Sequence, residues 1–429
     1  MTQHRRSFSR YGWALAVPTV GALLLTTACS GESSESVDGA NGFSLTYATS
    51  NNLESPYERL ARVYMEENPD VSIELAPQPN DRYGETLRTQ LQAGNAPDVV
   101  QTAPGTGQAQ GIVPLAEAGF LEPLDDAAAE LIPAGNESLF YTEDELYGQP
   151  VDLTVSGFVY NTSAADAAGL DEFPDATAEL LDLCETLAND GTSAIALAGA
   201  APPNTGMTAM SVSATRVYAE TPDWNQQRAD GAVTFADSEG WQETLETIVE
   251  LNETGCFQDG AEGGGFDAIT NGLAQGTSLG AFIPSGAASE LQSAAPDQNF
   301  AIEAFPPPEG GDPYILASSN YSLSINAASE RKEAAQEFLD WVAEPEQAQL
   351  FADISGVLPV TGVADVDLSD TRYAPVGELI QSESYTALPN STWPNQSVYD
   401  ELSTGVQGLL TGQSTVDQVL TAMDDAWEN

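Results

Sequence analysis

Carboxylates are the side chains this sequence offers most freely for chemistry. Its 65 aspartates and glutamates stand against 12 basic residues and a single histidine. That histidine is His4, inside a leader-like segment, so the rest of the chain has no imidazole to activate a serine or cysteine or to ligate zinc. Two carboxylates alone can hydrolyse a glycoside. Among 65 acids a pair means little, and no run surrounds one with the aromatic and polar neighbours that raise its pKa. The formal net charge of −53 repels phosphate backbones and excludes nucleic-acid binding. The same imbalance reads either as an acidic secreted protein or as adaptation to high salt, where screening removes the self-repulsion.

The N-terminus is an address. Arg5, Arg6 and Arg10 precede an apolar run from Trp13 to Leu25, and Thr26-Thr27-Ala28-Cys29 follows. This is a signal peptide over residues 1–28. Pro18 interrupts the run, which is too short to span a bilayer. Arg5-Arg6-Ser7-Phe8 fits either the general secretory route or twin-arginine export. Leu25 to Cys29 resembles a lipoprotein lipobox, with Thr26 in place of the usual leucine, making Cys29 the expected lipidated N-terminus. Residues 29–42, rich in Ser, Gly and acids, read as a flexible tether to the outer face of the cytoplasmic membrane. The remaining cysteines, Cys184 and Cys256, are expected to pair, because an exported protein meets oxidising conditions.

These residues need a scaffold, and 429 residues are enough for two well-cored domains. Phe43–Tyr47 alternates as a strand. Ser55-Pro56-Tyr57-Glu58 opens a helix striped by Leu60, Ala61, Tyr64 and Met65. Val71–Leu75 is a second strand. Asp81 caps a helix that ends at Gly94, and Asp98-Val99-Val100 begins a third strand. The alternation implies an α/β domain with a largely parallel sheet. A second such rhythm starts near Val151, with strands at Ser156–Tyr160 and Ser193–Leu197 and helices at Asp175–Leu187 and Trp241–Leu251. Tyr321–Ile325 is one more strand, Ser329 caps the next helix, and Ser414 caps the last one.

The chain resembles the sugar-type extracellular solute-binding proteins (family 1) of bacterial ABC importers. Tyr83 to Val99, with Ala93-Gly94-Asn95-Ala96-Pro97-Asp98-Val99 at its end, is similar to the family's second helix and following strand. Leu146 to Val151 with Val159-Tyr160-Asn161, and Leu323 to Ser329 with Ala334 to Leu339, resemble the segments at two crossings between lobes. Leu409-Leu410-Thr411-Gly412 resembles the family's closing helices. The resemblance implies a two-lobe α/β, periplasmic-binding-protein-like fold of type II. Residues 43–149 and 318–360 would form lobe one, and 150–317 and 361–429 lobe two. The lobes would close on a carbohydrate between them and dock on permease subunits, as a monomer without enzymatic activity or cofactor.

Sugar sites pair aromatic faces with amide and carboxylate hydrogen-bonders. On the resemblance, the expected ligand contacts are Asn51 after the first strand, Asp152 at the first crossing, and Asn204 in Pro202-Pro203-Asn204. Asn320 and Tyr321 at the second crossing, Trp393 in a Pro-flanked loop, and Tyr399 in the place of a stacking aromatic complete the set. Each also has a structural reading, as a core aromatic or a turn residue. Where relatives carry Gly-Ser-Trp, this chain has Pro284-Ser285-Gly286-Ala287. Ser285 is then a candidate contact, and either Phe282 supplies the platform or the cleft is less aromatic than in oligosaccharide binders. Alternative ligands within the same fold are a polyamine or a metal, although no adjacent tyrosine pair suits iron. A secreted glycosidase and a surface adhesin or scaffold are the readings from other classes.

Overall fold

The structure is a computed structural model that describes residues 42–49, 55–133, 135–170, 172–188, 191–363 and 366–428. The leader, Cys29 and Asn51 lie outside the described residues. In chain order the strands of the first half are β1 (Phe43–Thr49), β2 (Ile73–Pro79), β3 (Val99–Thr102), β4 (Leu121–Glu122), β5 (Tyr141–Thr142), β6 (Glu145–Leu146) and β7 (Gln149–Pro150). There follow β8 (Thr154–Asn161), β9 (Ser193–Ile195), β10 (Ser278–Pro284), β11 (Phe300–Glu303), β12 (Ile315–Ser318), β13 (Ser322–Asn326) and β14 (Tyr385–Thr386).

They make two main sheets. The first runs β2-β1-β3-β13-β4, with β7 also on β13, and the second runs β14-β12-β8-β10-β9, with β11 also on β8. β1 is parallel to β2 and β3, whereas β13 returns antiparallel to β3. This is a two-lobe α/β fold, each lobe built on one sheet.

Local sequence explains the frame of the first lobe. Ser55 caps the helix Pro56–Glu67, accepting from the Tyr57 backbone N–H at 3.3 Å, with Pro56 preset for the first turn. Its stripe of Tyr57, Leu60, Ala61 and Tyr64 is buried in the first lobe's core. Asp98 ties three segments together. Its carboxylate accepts from the Ser44 backbone N–H at 2.8 Å, the Ser44 hydroxyl at 2.7 Å and the Ser329 hydroxyl at 2.6 Å. Ser329 is therefore a tie to Asp98 and does not cap the helix Lys332–Val342, whose N-cap position is Arg331.

Two other caps differ from expectation. The helix after β2 begins at Tyr83 with Arg82 at its N-cap, because a 3-10 turn, Asn80–Arg82, precedes it. The final helix, Val416–Trp427, is capped by Thr415, which forms a full capping box with Gln418.

In the second lobe every residue of β8 is buried, as suits a strand paired on both edges and covered on both faces. Cys184 and Cys256 form a disulfide beneath β9, both completely buried. The stretch Pro202-Pro203-Asn204 opens a helix, Pro202–Ser213, where a turn was one expectation. No described helix is long and apolar enough to cross a membrane.

Candidate functional site

Three stretches of chain pass between the lobes. The first is residues 151–153, the second 319–321, and the third 356–358, where Leu153 and Leu358 exchange backbone hydrogen bonds of 2.9 and 3.0 Å. Asp152 joins the first two. Its carboxylate accepts from the Thr154 hydroxyl at 2.5 Å, the Ser319 hydroxyl at 3.2 Å, and the backbone N–H groups of Asn320 at 3.1 Å and Tyr321 at 2.9 Å. Burial pushes this carboxyl up to about 6, and the four hydrogen bonds only partly offset that.

Beside this hinge lies a cavity of about 360 Å³. The first lobe contributes Ala48 and Thr49 at the end of β1, the helix start Ser55-Pro56-Tyr57, and the helix end Ile354-Ser355. Pro284 at the end of β10 and the helix Ala287–Ala294 form the facing wall, through Ser289, Glu290 and Ser293. Asn320 and Tyr321 form the back, with Thr154. The Tyr321 ring stands edge-on to Tyr57 and Phe351, each 6.2 Å away, which fixes its orientation. Its hydroxyl is pushed up to about 12, first by burial and then by the charges of Asp152 and Glu290.

Tyr57 and Ser355 line the cavity, but their hydroxyls, Tyr57 Oη and Ser355 Oγ, are sealed inside the wall and have no hydrogen-bond partner among the described residues. Tyr57 is 2% exposed. A buried orphan of this kind costs on the order of 1–3 kcal/mol. The polar residues that line the cavity, Thr154, Ser289, Glu290, Ser293 and Asn320, suit a ligand rich in hydrogen-bonding groups.

Away from the hinge the lobes touch again. The Thr106 backbone N–H donates to the Ser391 carbonyl at 2.8 Å, and its hydroxyl donates to the Ser391 and Trp393 carbonyls at 3.2 and 2.5 Å. Gly105 and Gly107 flank it, and a Cβ on either would overlap the backbone carbonyl of Ser391 or Asn390. The partner loop is braced from its own lobe by Asn225, which donates to the Pro389 carbonyl at 2.8 Å and to Thr392 Oγ1 at 2.7 Å.

Of the expected contacts, Asn320 and Tyr321 are brought together on the cavity. The others in the described chain lie elsewhere. Asp152 faces inward to the hinge. Asn204 Oδ1 accepts from the Ala198 N–H at 2.8 Å while its amide donates to the Phe282 carbonyl at 2.9 Å, so it clamps β10 to the segment after β9. The Ser285 hydroxyl accepts from the Val155 N–H at 3.2 Å and pairs with Tyr373. Trp393, read as an exposed loop residue, is completely buried between Phe235 and Trp241, with ring centres 5.7 and 6.1 Å away. Tyr399 lays its ring on Gly206, where any side chain would collide with it, and donates to the Pro203 carbonyl at 2.9 Å. Phe282 is buried among Phe158 and Phe305 and offers no platform.

Tyr57, Ser355 and Glu290 were not anticipated. Tyr57 hides in an apolar helical stripe, and the sequence signal for it was the Ser55-Pro56 start that turns the first residues of that helix toward the end of β1.

Comparisons with known proteins agree on the fold. A solute-binding protein, RafE, in complex with raffinose is 19% identical over 90% of this chain and 98% of that one, with a TM-score of 0.73. The GacH receptor of Streptomyces glaucescens, studied unliganded and with acarbose, is 19% identical over 90% and 97%, also at 0.73. A structure from work on xylan utilisation by Caldanaerobius polysaccharolyticus is 20% identical over 90% and 99%, again at 0.73. No curated protein matches by sequence. The family profile described as bacterial extracellular solute-binding protein matches residues 48–349. This span holds the first two crossings and all of the cavity wall but Ile354, Ser355 and Val357, and the chain belongs to that family.

Proposed function

We propose that this protein captures a sugar or short oligosaccharide in the cavity beside Tyr57 and Tyr321 and hands it to the permease of an ABC importer. Residues 43–149 and 318–360 act as one lobe and 150–317 and 361–429 as the other, closing by rotation about the Asp152 hinge. Lipidated Cys29 tethers the protein outside the cytoplasmic membrane, where it works as a monomer.

The observation that carries the ligand class is the polar lining of an inter-lobe cavity, where Thr154, Ser289, Glu290, Ser293 and Asn320 surround the half-buried Tyr321. A polyhydroxylated ring offers such groups donors and acceptors, and its C–H faces suit an aromatic side chain. The bound sugars of the structural relatives support the same reading. The cavity carries one carboxylate, Glu290, among its described lining residues, whereas glycoside hydrolysis uses two facing ones. The proposed role is therefore binding without turnover.

The test is calorimetry on residues 43–429 with a panel of mono- and oligosaccharides, with spermidine and ferric citrate as controls. Saturable binding of one sugar class, with the sugar recovered intact, is the expected outcome. Binding of spermidine or iron alone, or hydrolysis of a labelled glycan, refutes it.

A further inference from the structure

The cavity wall has a charge asymmetry. Glu290 is the one charged side chain among the described residues lining it, and no arginine or lysine joins them. The helix that carries Glu290 cannot drift from the site. Ser289 packs on Gly356 so closely that a Cβ there would strike its hydroxyl, and Gly356 terminates the helix bearing Ser355. Glu290 thus faces the cavity from a helix pinned to the third crossing. The residues across the cavity, Thr49, Ser55, Tyr57, Asn320, Tyr321 and Ser355, are all uncharged, and the Tyr321 hydroxyl feels the Glu290 charge.

We propose that Glu290 sets the charge class of the ligand: the site takes neutral and amino sugars and rejects acidic ones. The inference rests on the sugar reading above and deepens it. An ionised carboxylate accepts hydrogen bonds and donates none. It pairs with a sugar hydroxyl, and more strongly with a protonated amine. A uronate carboxylate or sugar phosphate brought to the same wall finds no cation there and meets like charge in a closing, water-poor cleft.

The experiment uses residues 43–429 and matched sets that share one ring: glucose, glucosamine and glucuronic acid, then galactose, galactosamine and galacturonic acid. Direct binding is measured at pH 7 in low and high salt, for the wild type and for Glu290→Gln. The wild type should bind the amine tightest and the acid at least about tenfold more weakly than the neutral sugar. Glu290→Gln should lift the penalty on the acid and remove the advantage of the amine, leaving the neutral sugar within a few-fold. High salt should narrow the wild-type differences and leave those of the variant alone. An acid bound as tightly as its neutral partner by the wild type overturns the proposal. So does a ranking that survives in Glu290→Gln. Those two results leave sugar binding intact, whereas silence from both sets and from the whole mono- and oligosaccharide panel removes the sugar reading and this inference with it.

Discussion

Gly107→Ala isolates lobe closure from folding. Gly107 lies outside the positive-φ region, so alanine suits its own backbone, and the residue is buried against the Asn390 segment of the second lobe. In the closed arrangement the new methyl overlaps the Asn390 carbonyl, a rigid backbone atom in a loop held by Asn225. One side has to withdraw by about an ångström to restore van der Waals contact. That distance breaks the Thr106 bonds to Ser391 and Trp393, at 2.8, 3.2 and 2.5 Å. Three such bonds contribute about 1 kcal/mol each, the two to Ser391 sharing one acceptor, so the loss is about 2–3 kcal/mol. Ligand affinity should fall by roughly 30- to 150-fold, while the Tm without ligand stays within about 2 °C of the wild type. Thr106→Val, which removes the side-chain donor and keeps the backbone one, should lie between. Calorimetry with the best sugar and a thermal melt without it provide both numbers. An unchanged Kd in Gly107→Ala would show that the contact plays no part in ligand capture. A large drop in the unliganded Tm would show that it belongs to the folded core.

Tyr57→Phe removes a buried hydroxyl with no partner among the described residues, so the unliganded protein should be as stable or slightly more so; a clearly lowered denaturation midpoint would show that the hydroxyl is paired. Asp152 has its carboxyl raised from 3.8 to about 6 by burial, so the folded state holds the proton more tightly than the unfolded chain between those values. Stability from this group therefore grows as pH falls from about 6 toward 3.8 and is flat above, a span of about 3 kcal/mol. Asp152→Asn should flatten that segment of a Tm–pH curve relative to the wild type, and parallel curves would contradict the assignment. Replacing Cys184 and Cys256 together by serine opens a link of 72 residues and should cost about 4 kcal/mol, read as a lowered denaturation midpoint.

Periodicity made the scaffold legible. Phe43–Tyr47 alternates because one face of β1 meets the helix that Ser55 caps, and Ser156–Tyr160 reads as a strand within β8, every residue of which is buried. The crossing segments were legible only through the resemblance to the family, carried by Leu146 to Val151 and Leu323 to Ser329. The ligand wall was not. Trp393 looks exposed in a Pro-flanked loop, yet that loop folds its ring between Phe235 and Trp241, partners more than 150 residues away. Asp152 and Asn204 are polar at strand ends, where ligand contacts and structural clamps look alike until their partners are seen. Tyr57 was hidden in the opposite way, since a tyrosine on an apolar stripe reveals its unpaired hydroxyl only once the surrounding atoms are in place.

The position of β13 has a consequence for how the molecule comes into being. That strand lies inside the first sheet, between β3 and β4, and β7 pairs with it as well. Until residues 322–326 arrive, β4 and β7 have no neighbour in that sheet and β3 keeps an open edge. The N-terminal lobe therefore cannot finish while it is being synthesised. It must wait for the whole excursion through residues 151–321, and its closing contacts span long loops whose entropy is lost before they form. A ribosome-bound or truncated chain ending near residue 310 should expose that open edge and bind chaperones, whereas the second lobe's β8 and β10 can already be paired.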